Sequence, residues 1–187
     1  MKKRKIIRVL GSRIFLISFL FLIFATQINF LFSDLIQIYY PDRQPIIDTL
    51  FNLTPYISWT QYLTDVAVIF SPIILLYNVV LKDMDHLPYY ISAFSIGYFL
   101  RGILIFLNPI GGAHGNMDVY GLTTIMQHGM FPSGHTILVF VAYALSRQVC
   151  EKKVKYFLLA MCFVEVVSLF LSRVLSAIGI VGGFLVS

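Results

Sequence analysis

Charge is scarce in this chain of 187 residues. Only 12% of the residues are Asp, Glu, Lys or Arg, and 58% are hydrophobic, whereas soluble domains are about a quarter charged. No polar stretch is long enough to hold a soluble core of its own. The composition therefore excludes an ordinary soluble domain and predicts a single integral membrane domain over residues 1–187.

Cysteine is also scarce. The two cysteines, Cys150 and Cys162, lie in a basic loop and inside an apolar run. Neither position suggests a disulfide or a metal site. The sequence contains no internal repeat, low-complexity run or Gly/Ser linker, so nothing divides it into modules.

Apolar runs make up most of what is present. A helix needs about 20 mostly apolar residues to cross a bilayer, and we count about six candidate crossings. They are Ile14–Phe32, Tyr62–Leu81, Tyr89–Leu107, the short run His135–Ser146, Tyr156–Ser172, and residues 174–187. The last run stops early, so we expect the final helix either to be truncated or not to span. The predicted fold is an all-α, polytopic membrane helix bundle.

The basic residues are distributed asymmetrically. They cluster before the first run and after the fourth, with Lys82 alone after the second, and an even number of crossings places all of them on one side. Because short cytoplasmic loops carry the excess of Lys and Arg, we predict a cytoplasmic N-terminus. The loops Ser33–Gln61 and Asn108–Pro132 then face outward. The net charge of +5 is therefore interpreted as a topology signal, and we expect no nucleic-acid partner.

A few polar residues occupy costly positions in these runs. Arg101 lies inside the third run and Arg173 follows the fifth, both toward the predicted outer side. The fourth run has the opposite direction, so Ser133 and His135 begin at the same depth. Charged residues in membrane segments usually line a polar cavity, and these four are predicted to share one.

That set of residues suits a phosphate group. A helix start offers free N–H groups and a positive dipole end, and Ser133 is predicted to cap it. Arginines bind phosphate oxygens in a bidentate fork, and His135 can move a proton near neutral pH. The structural alternative is that Arg101 and Arg173 only reach toward the lipid head groups.

Other titratable residues are secondary candidates. Glu165, midway along the fifth run, is either a functional acid or a protonated group bonded to a neighbour, and we expect the second. Asp65 could face the same cavity, but no feature of the sequence places it there. His86 is predicted on the cytoplasmic side, whereas His114 and His128 are predicted to be solvated in the outer loop.

The segment FPSGHT, residues 131–136, resembles the second signature of the type 2 phosphatidic acid phosphatase superfamily. The surrounding chain resembles the sphingomyelin synthase branch at three further segments: PDRQPIIDTLFNLTPYISW (41–59), RGILIFLNPIG (101–111) and SRVLSAIGIVGG (172–183). The resemblance covers most of the chain from Pro41. It implies six helices with cytoplasmic termini, an active site on the exoplasmic side, and no metal or organic cofactor.

The resemblance also implies roles for individual residues. His135 would protonate the leaving group, and the phosphate would be bound by Arg101, Ser133, Gly134, Ser172 and Arg173. The implied reaction transfers a phosphate or phospho-head-group from a membrane lipid to water or to another lipid hydroxyl. The lipid donor, the acceptor and the oligomeric state are left open.

The last signature departs from the family pattern. The family has a nucleophilic histidine and, four residues later, an aspartate that orients it; these positions are Leu175 and Gly179 here. No histidine follows His135, and His128 is a weak substitute. Three explanations stay open: an inactive relative that binds lipid head groups, altered residues, or a misread or incomplete C-terminal end. A non-enzymatic transport or assembly subunit is the alternative from another functional class.

Overall fold

The computed structural model describes residues 2–43, 47–111 and 131–187. Within these ranges the chain is all-helical and has no β-strand. The helices are α1 (Lys2–Leu10), α2 (Arg13–Tyr39), α3 (Thr49–Leu53), α4 (Gln61–Lys82), α5 (Leu87–Leu107), α6 (Gly134–Val149), α7 (Lys152–Leu171) and α8 (Ala177–Val186). Short 3₁₀ turns, Ser58–Thr60 and Met84–His86, precede α4 and α5. The predicted all-α class is confirmed for the described residues.

Four helical segments are long and apolar enough to cross a bilayer. They are Arg13–Tyr39, Ser58–Lys82, Met84–Leu107 and Lys152–Leu171, with mean hydropathies from 1.7 to 2.2. Large apolar side chains on their outer faces are exposed, as expected of helices that contact lipid. These four helices indicate a multi-pass membrane protein.

The other two predicted crossings are shorter helices. α6 has 16 residues and α8 has 10. At a rise of about 1.5 Å per residue they are about 24 Å and 15 Å long, against a hydrocarbon core about 30 Å thick. The count of six crossings therefore stays a prediction.

The first membrane helix is longer than predicted. α2 continues past Phe32 to Tyr39, because Ser33–Tyr39 contains no residue that breaks a helix and buries Ser33 and Ile36 on one face. Pro41 follows, and the residue before a proline avoids the helical region. The prediction of a loop over Ser33–Gln61 was thus wrong at its start, and it also missed α3.

α6 lies at the centre of the bundle. Ile137, Val141 and Leu145 repeat every four residues and pack into a cluster with buried side chains of α4 and α5. On another face, Val139 packs between α4 and α7 in a second buried cluster. The short helix is therefore surrounded by the longer ones.

Ion pairs join chain segments at one end of the bundle. Arg8 Nη2 donates to Asp85 Oδ1 at 3.1 Å, and Lys82 Nζ donates to Glu151 Oε1 at 2.7 Å. These bonds bring α1, the end of α4, and the starts of α5 and α7 together. We call this end, which carries Arg8, Lys82, Arg147, Lys152 and Lys155, the basic end.

The opposite end is held by backbone hydrogen bonds. Ile57 N donates to Leu171 O at 2.8 Å, and Ser133 N donates to Gly179 O at 2.9 Å. The starts of α4, α6 and α8 therefore meet the end of α7 here, and we call this the His135 end. Which end faces the cytoplasm stays a prediction from the distribution of charge.

Candidate functional site

The turn Pro132–His135 begins α6 as the sequence predicted. Ser133 is the N-cap, and its Oγ accepts a hydrogen bond from Thr136 N at 3.1 Å. The Thr136 hydroxyl also donates to this Oγ, at 2.9 Å. Ser133 and Thr136 are both wholly buried. The predicted cap is therefore confirmed, and the Ser133 hydroxyl is committed to the helix start.

Arg101 holds the turn from α5. Its Nε donates to Pro132 O at 2.9 Å, and its Nη1 donates to Oδ1 of Asn29 on α2. A Cβ on Gly134 would lie 3.0 Å from the same Nε, so the absence of a side chain there lets the guanidinium lie against the turn. Arg101 itself is buried. The structure thus brings Arg101, Ser133, Gly134 and His135 together.

α8 closes the turn from the other side. A Cβ on Gly183 would lie 2.7 Å from Thr136 Cβ and 2.8 Å from Ser133 O. A Cβ on Gly182 would lie 2.3 Å from the Phe131 ring. At Gly183 the neighbours are a backbone oxygen and a Cβ, so only glycine permits so close an approach, whereas a side chain at position 182 would require the Phe131 ring to move.

The resemblance assigns a nucleophilic histidine and an orienting aspartate to two positions, 175 and 179. Both positions hold residues that pack against their neighbours here. Leu175 is buried in an apolar cluster with Leu169, Val174 and Ile180. Gly179 is buried on α8, and its carbonyl accepts the Ser133 hydrogen bond. Leucine has no nucleophilic atom and glycine has no side chain, so these two residues supply neither a nucleophile nor an orienting carboxylate.

One carboxylate, that of Asp65, lies near His135. His135 is half-buried in the first turn of α6. Asp65, in the first turns of α4, is buried and close enough to interact electrostatically with His135 and with Glu165. From the sequence, Asp65 was only a possible member of the cavity, because one acid in an apolar run does not reveal which helix face it occupies.

Glu165 is the most deeply buried acid in the described part of the chain. It has no solvent exposure, and neither carboxylate oxygen has a hydrogen-bond partner among the described residues. The expectation that a neighbour would bond it was therefore wrong within those residues. No three His, Cys, Asp or Glu side chains there are arranged to hold a metal ion.

Arg173 is bonded to a different segment. Its backbone is left-handed, with φ of 51°, a conformation that favours glycine. Its Nη2 donates to Phe51 O at 2.8 Å and Thr54 O at 3.3 Å, and its Cζ lies 5.7 Å from the Phe51 ring centroid. Within the described ranges, Arg173 therefore stabilises the end of α3 and makes no bond to the turn at His135.

Asp48 joins the α3 segment to α8, whereas Ser172 bonds back to α7. The Ser172 hydroxyl donates to Ser168 O at 2.6 Å, and this carbonyl also accepts from Ser172 N at 2.9 Å. Asp48 accepts from Leu50 N at 3.0 Å and from Ala177 N at 2.6 Å, so one carboxylate caps α3 and also bonds the start of α8. Sequence reasoning missed Asp48, although an aspartate before an apolar segment is a cap signal.

The remaining histidines are not part of this arrangement. His86 lies at the basic end, with its Nδ1 2.6 Å from Asp83 Oδ1. His114 and His128 lie outside the described residues. Among described histidines, His135 alone is at the polar cluster.

Comparisons with known proteins identified no relative of this chain. No family model, curated protein or solved structure is significantly similar to this chain.

Proposed function

We propose that this protein acts on the phosphate or phospho-head-group of a membrane lipid, as a phosphatase or phosphotransferase related to the type 2 phosphatidic acid phosphatases. One observation carries the proposal: the PSGH turn lies against the buried Arg101 guanidinium, with Asp65 within electrostatic range of His135. A cation, a helix start and a histidine together are suited to a phosphate dianion.

The surroundings of His135 support a role in proton transfer. A carboxylate near an imidazole stabilises the imidazolium form and orients the ring. Asp65 is within electrostatic range of His135 and can supply this negative charge. Arg101 and the start of α6 contribute positive charge, and phosphoryl transfer depends mainly on positioning and on such charge.

The proposed reaction uses direct displacement, because Leu175 and Gly179 supply no nucleophile. The oxygen of a water molecule or a lipid hydroxyl bonds to phosphorus, and the P–O bond to the leaving lipid oxygen breaks. His135 gives its proton to that leaving oxygen. It then takes up the proton that the attacking oxygen loses, which restores the starting state.

The test is turnover by the full chain in detergent micelles. Phosphate release from phosphatidic acid reports hydrolysis, and formation of sphingomyelin and diacylglycerol from phosphatidylcholine plus ceramide reports transfer. His135→Gln should lower turnover at least about 100-fold, as expected for loss of a general acid. His86→Gln is the matched control at the basic end and should change nothing. Turnover that survives in His135→Gln would contradict the proposal.

A second function is favoured by the packing of Leu175 and Gly179, namely a head-group-binding protein without catalysis. In that case the wild type binds phosphatidic acid saturably and releases no phosphate from it. His135→Gln should weaken this binding and His86→Gln should not. Absence of both turnover and His135-dependent binding would exclude both functions.

A further inference from the structure

A cavity of about 350 Å³ opens at the basic end, far along α6 from His135. It is lined by Tyr143, Arg147, Lys152, Lys155 and Tyr156. The first two lie one helical turn apart at the end of α6, and the other three share a face of the first turns of α7. The connection between the two helices thus brings three cations to one cavity.

The acids at this end are committed to other partners. Within the described ranges, Asp83 pairs with His86, Asp85 pairs with Arg8, and Glu151 pairs with Lys82. The hydrogen bond from Lys82 holds the pKa of the exposed Glu151 below its usual value, so this carboxylate is charged at neutral pH.

The three cations of the cavity therefore have no carboxylate of their own. In the described part of the chain, Arg147, Lys152 and Lys155 form no ion pair. Like charges held together destabilise a site unless a counter-ion joins them. The cavity is thus an electropositive site that would favour an anion.

The start of α7 contributes a further preference for anions. This helix has 20 residues, and its N-cap, Glu151, makes no side-chain hydrogen bond to the first turn. The first N–H groups of a helix have no partner within it, and the helix dipole makes that end positive. Uncapped donors and three side-chain cations thus occur at the same place.

We infer that this cavity binds the phosphate of an anionic lipid head group. A guanidinium offers phosphate a two-pronged fork and lysines add point charges, while the two tyrosines add hydroxyl donors. Tyr156 and Phe157 are exposed on the outer face of α7, so acyl chains can lie along that helix while the head group enters the cavity. The inference does not depend on the function proposed for the His135 end.

The test is lipid binding to the full chain, read as a shift in its thermal unfolding temperature. Short-chain phosphatidic acid is the probe, with short-chain phosphatidylcholine and inorganic phosphate as comparison ligands. Phosphatidic acid should stabilise the protein in a saturable way, because a ligand that binds only the folded state raises its stability. Phosphatidylcholine should have a much smaller effect.

Two neighbouring lysines provide a matched pair of variants. Lys152 lines the cavity, whereas the next residue, Lys153, is exposed and does not line it. Lys152→Gln and Arg147→Gln should each weaken phosphatidic acid binding roughly tenfold, because each removes a charge-assisted hydrogen bond. Lys153→Gln removes the same charge and should change affinity less than about twofold, as a screened surface charge does.

Three results would overturn the inference. Equal losses in Lys152→Gln and Lys153→Gln would mean diffuse attraction and no site. Binding of inorganic phosphate but not of phosphatidic acid would show a soluble anion as the ligand. No effect of Arg147→Gln would place the lipid elsewhere. Turnover or binding that depends on His135 reports the His135 end, whereas binding that depends on Arg147 and Lys152 reports this cavity, so failure of this inference is distinguishable from failure of the proposed function.

Discussion

The two ends of the bundle hold their charged groups in opposite ways. At the His135 end, Arg101 is buried and bonded to a backbone carbonyl and an amide from two other parts of the chain. At the basic end, Arg147 and Lys152 are exposed, and the nearby ion pairs are between exposed side chains. One end is built for fixed geometry and the other for accessible charge.

The difference has an energetic consequence. A buried polar group costs free energy when its partner is removed, because no water replaces the lost bond. An exposed ion pair is worth at most about 1 kcal/mol, because water and salt screen it. Identical substitutions at the two ends should therefore have unequal effects, and the following three experiments measure this.

The largest effect is expected from Gly183→Leu. A Cβ at this position would lie within 2.8 Å of atoms of Ser133 and Thr136, so a leucine forces α8 off the turn. We expect a loss of about 3 kcal/mol or more in unfolding free energy, measured by thermal unfolding in detergent. Val181→Leu, on the exposed face of the same helix, is the control. Equal stability of both variants would contradict the close contact between α8 and the turn.

A smaller loss of unfolding free energy is expected from Arg101→Met. The change leaves Pro132 O and the Asn29 side chain without their donor, at a cost of about 2–3 kcal/mol. Arg147→Met at the basic end removes an exposed arginine and should cost less than about 0.5 kcal/mol. Thermal unfolding of the two variants compares the ends directly. If Arg101→Met lowered the unfolding free energy as little as Arg147→Met does, the buried network would add no stability.

The smallest effect, and one of opposite sign, is expected from Glu165→Met. Methionine has a similar length and removes a buried carboxyl that has no hydrogen-bond partner among the described residues, so stability should rise by about 1–2 kcal/mol. Glu151→Met breaks the exposed pair with Lys82 and should change stability very little, because water and salt screen that pair. A gain in stability with a loss of turnover would assign Glu165 to function. Destabilisation would show that Glu165 has a structural partner.

Several elements followed directly from the sequence. Long apolar runs predicted the four spanning helices, and Pro132–Ser133 before an apolar run predicted the start of α6. These features depend on residues close in the chain, so pattern and propensity were sufficient. The end of α2 was missed because apolar residues continue past the length that a membrane requires, and only Pro41 stops the helix.

The candidate site was predicted in part. Arg101, Ser133, Gly134 and His135 do lie together, as their depths in antiparallel helices predicted. Arg173 had the expected depth, but its side chain reaches the carbonyls of α3, a helix that the sequence did not reveal. Depth along a helix can be counted from sequence, whereas the direction of a side chain around the helix depends on its neighbours.

The sequence by itself determined the all-helical class, the four apolar spans, the concentration of basic residues in particular loops and the capped start of α6. Only the tertiary structure decided that Asp65 is the carboxylate near His135, that α8 packs through Gly182 and Gly183, and that Arg147, Lys152 and Lys155 share one cavity. The reason is physical. Hydrophobic length and capping are local properties, but a contact between helices is set by which faces pack together, and that is a property of the whole bundle.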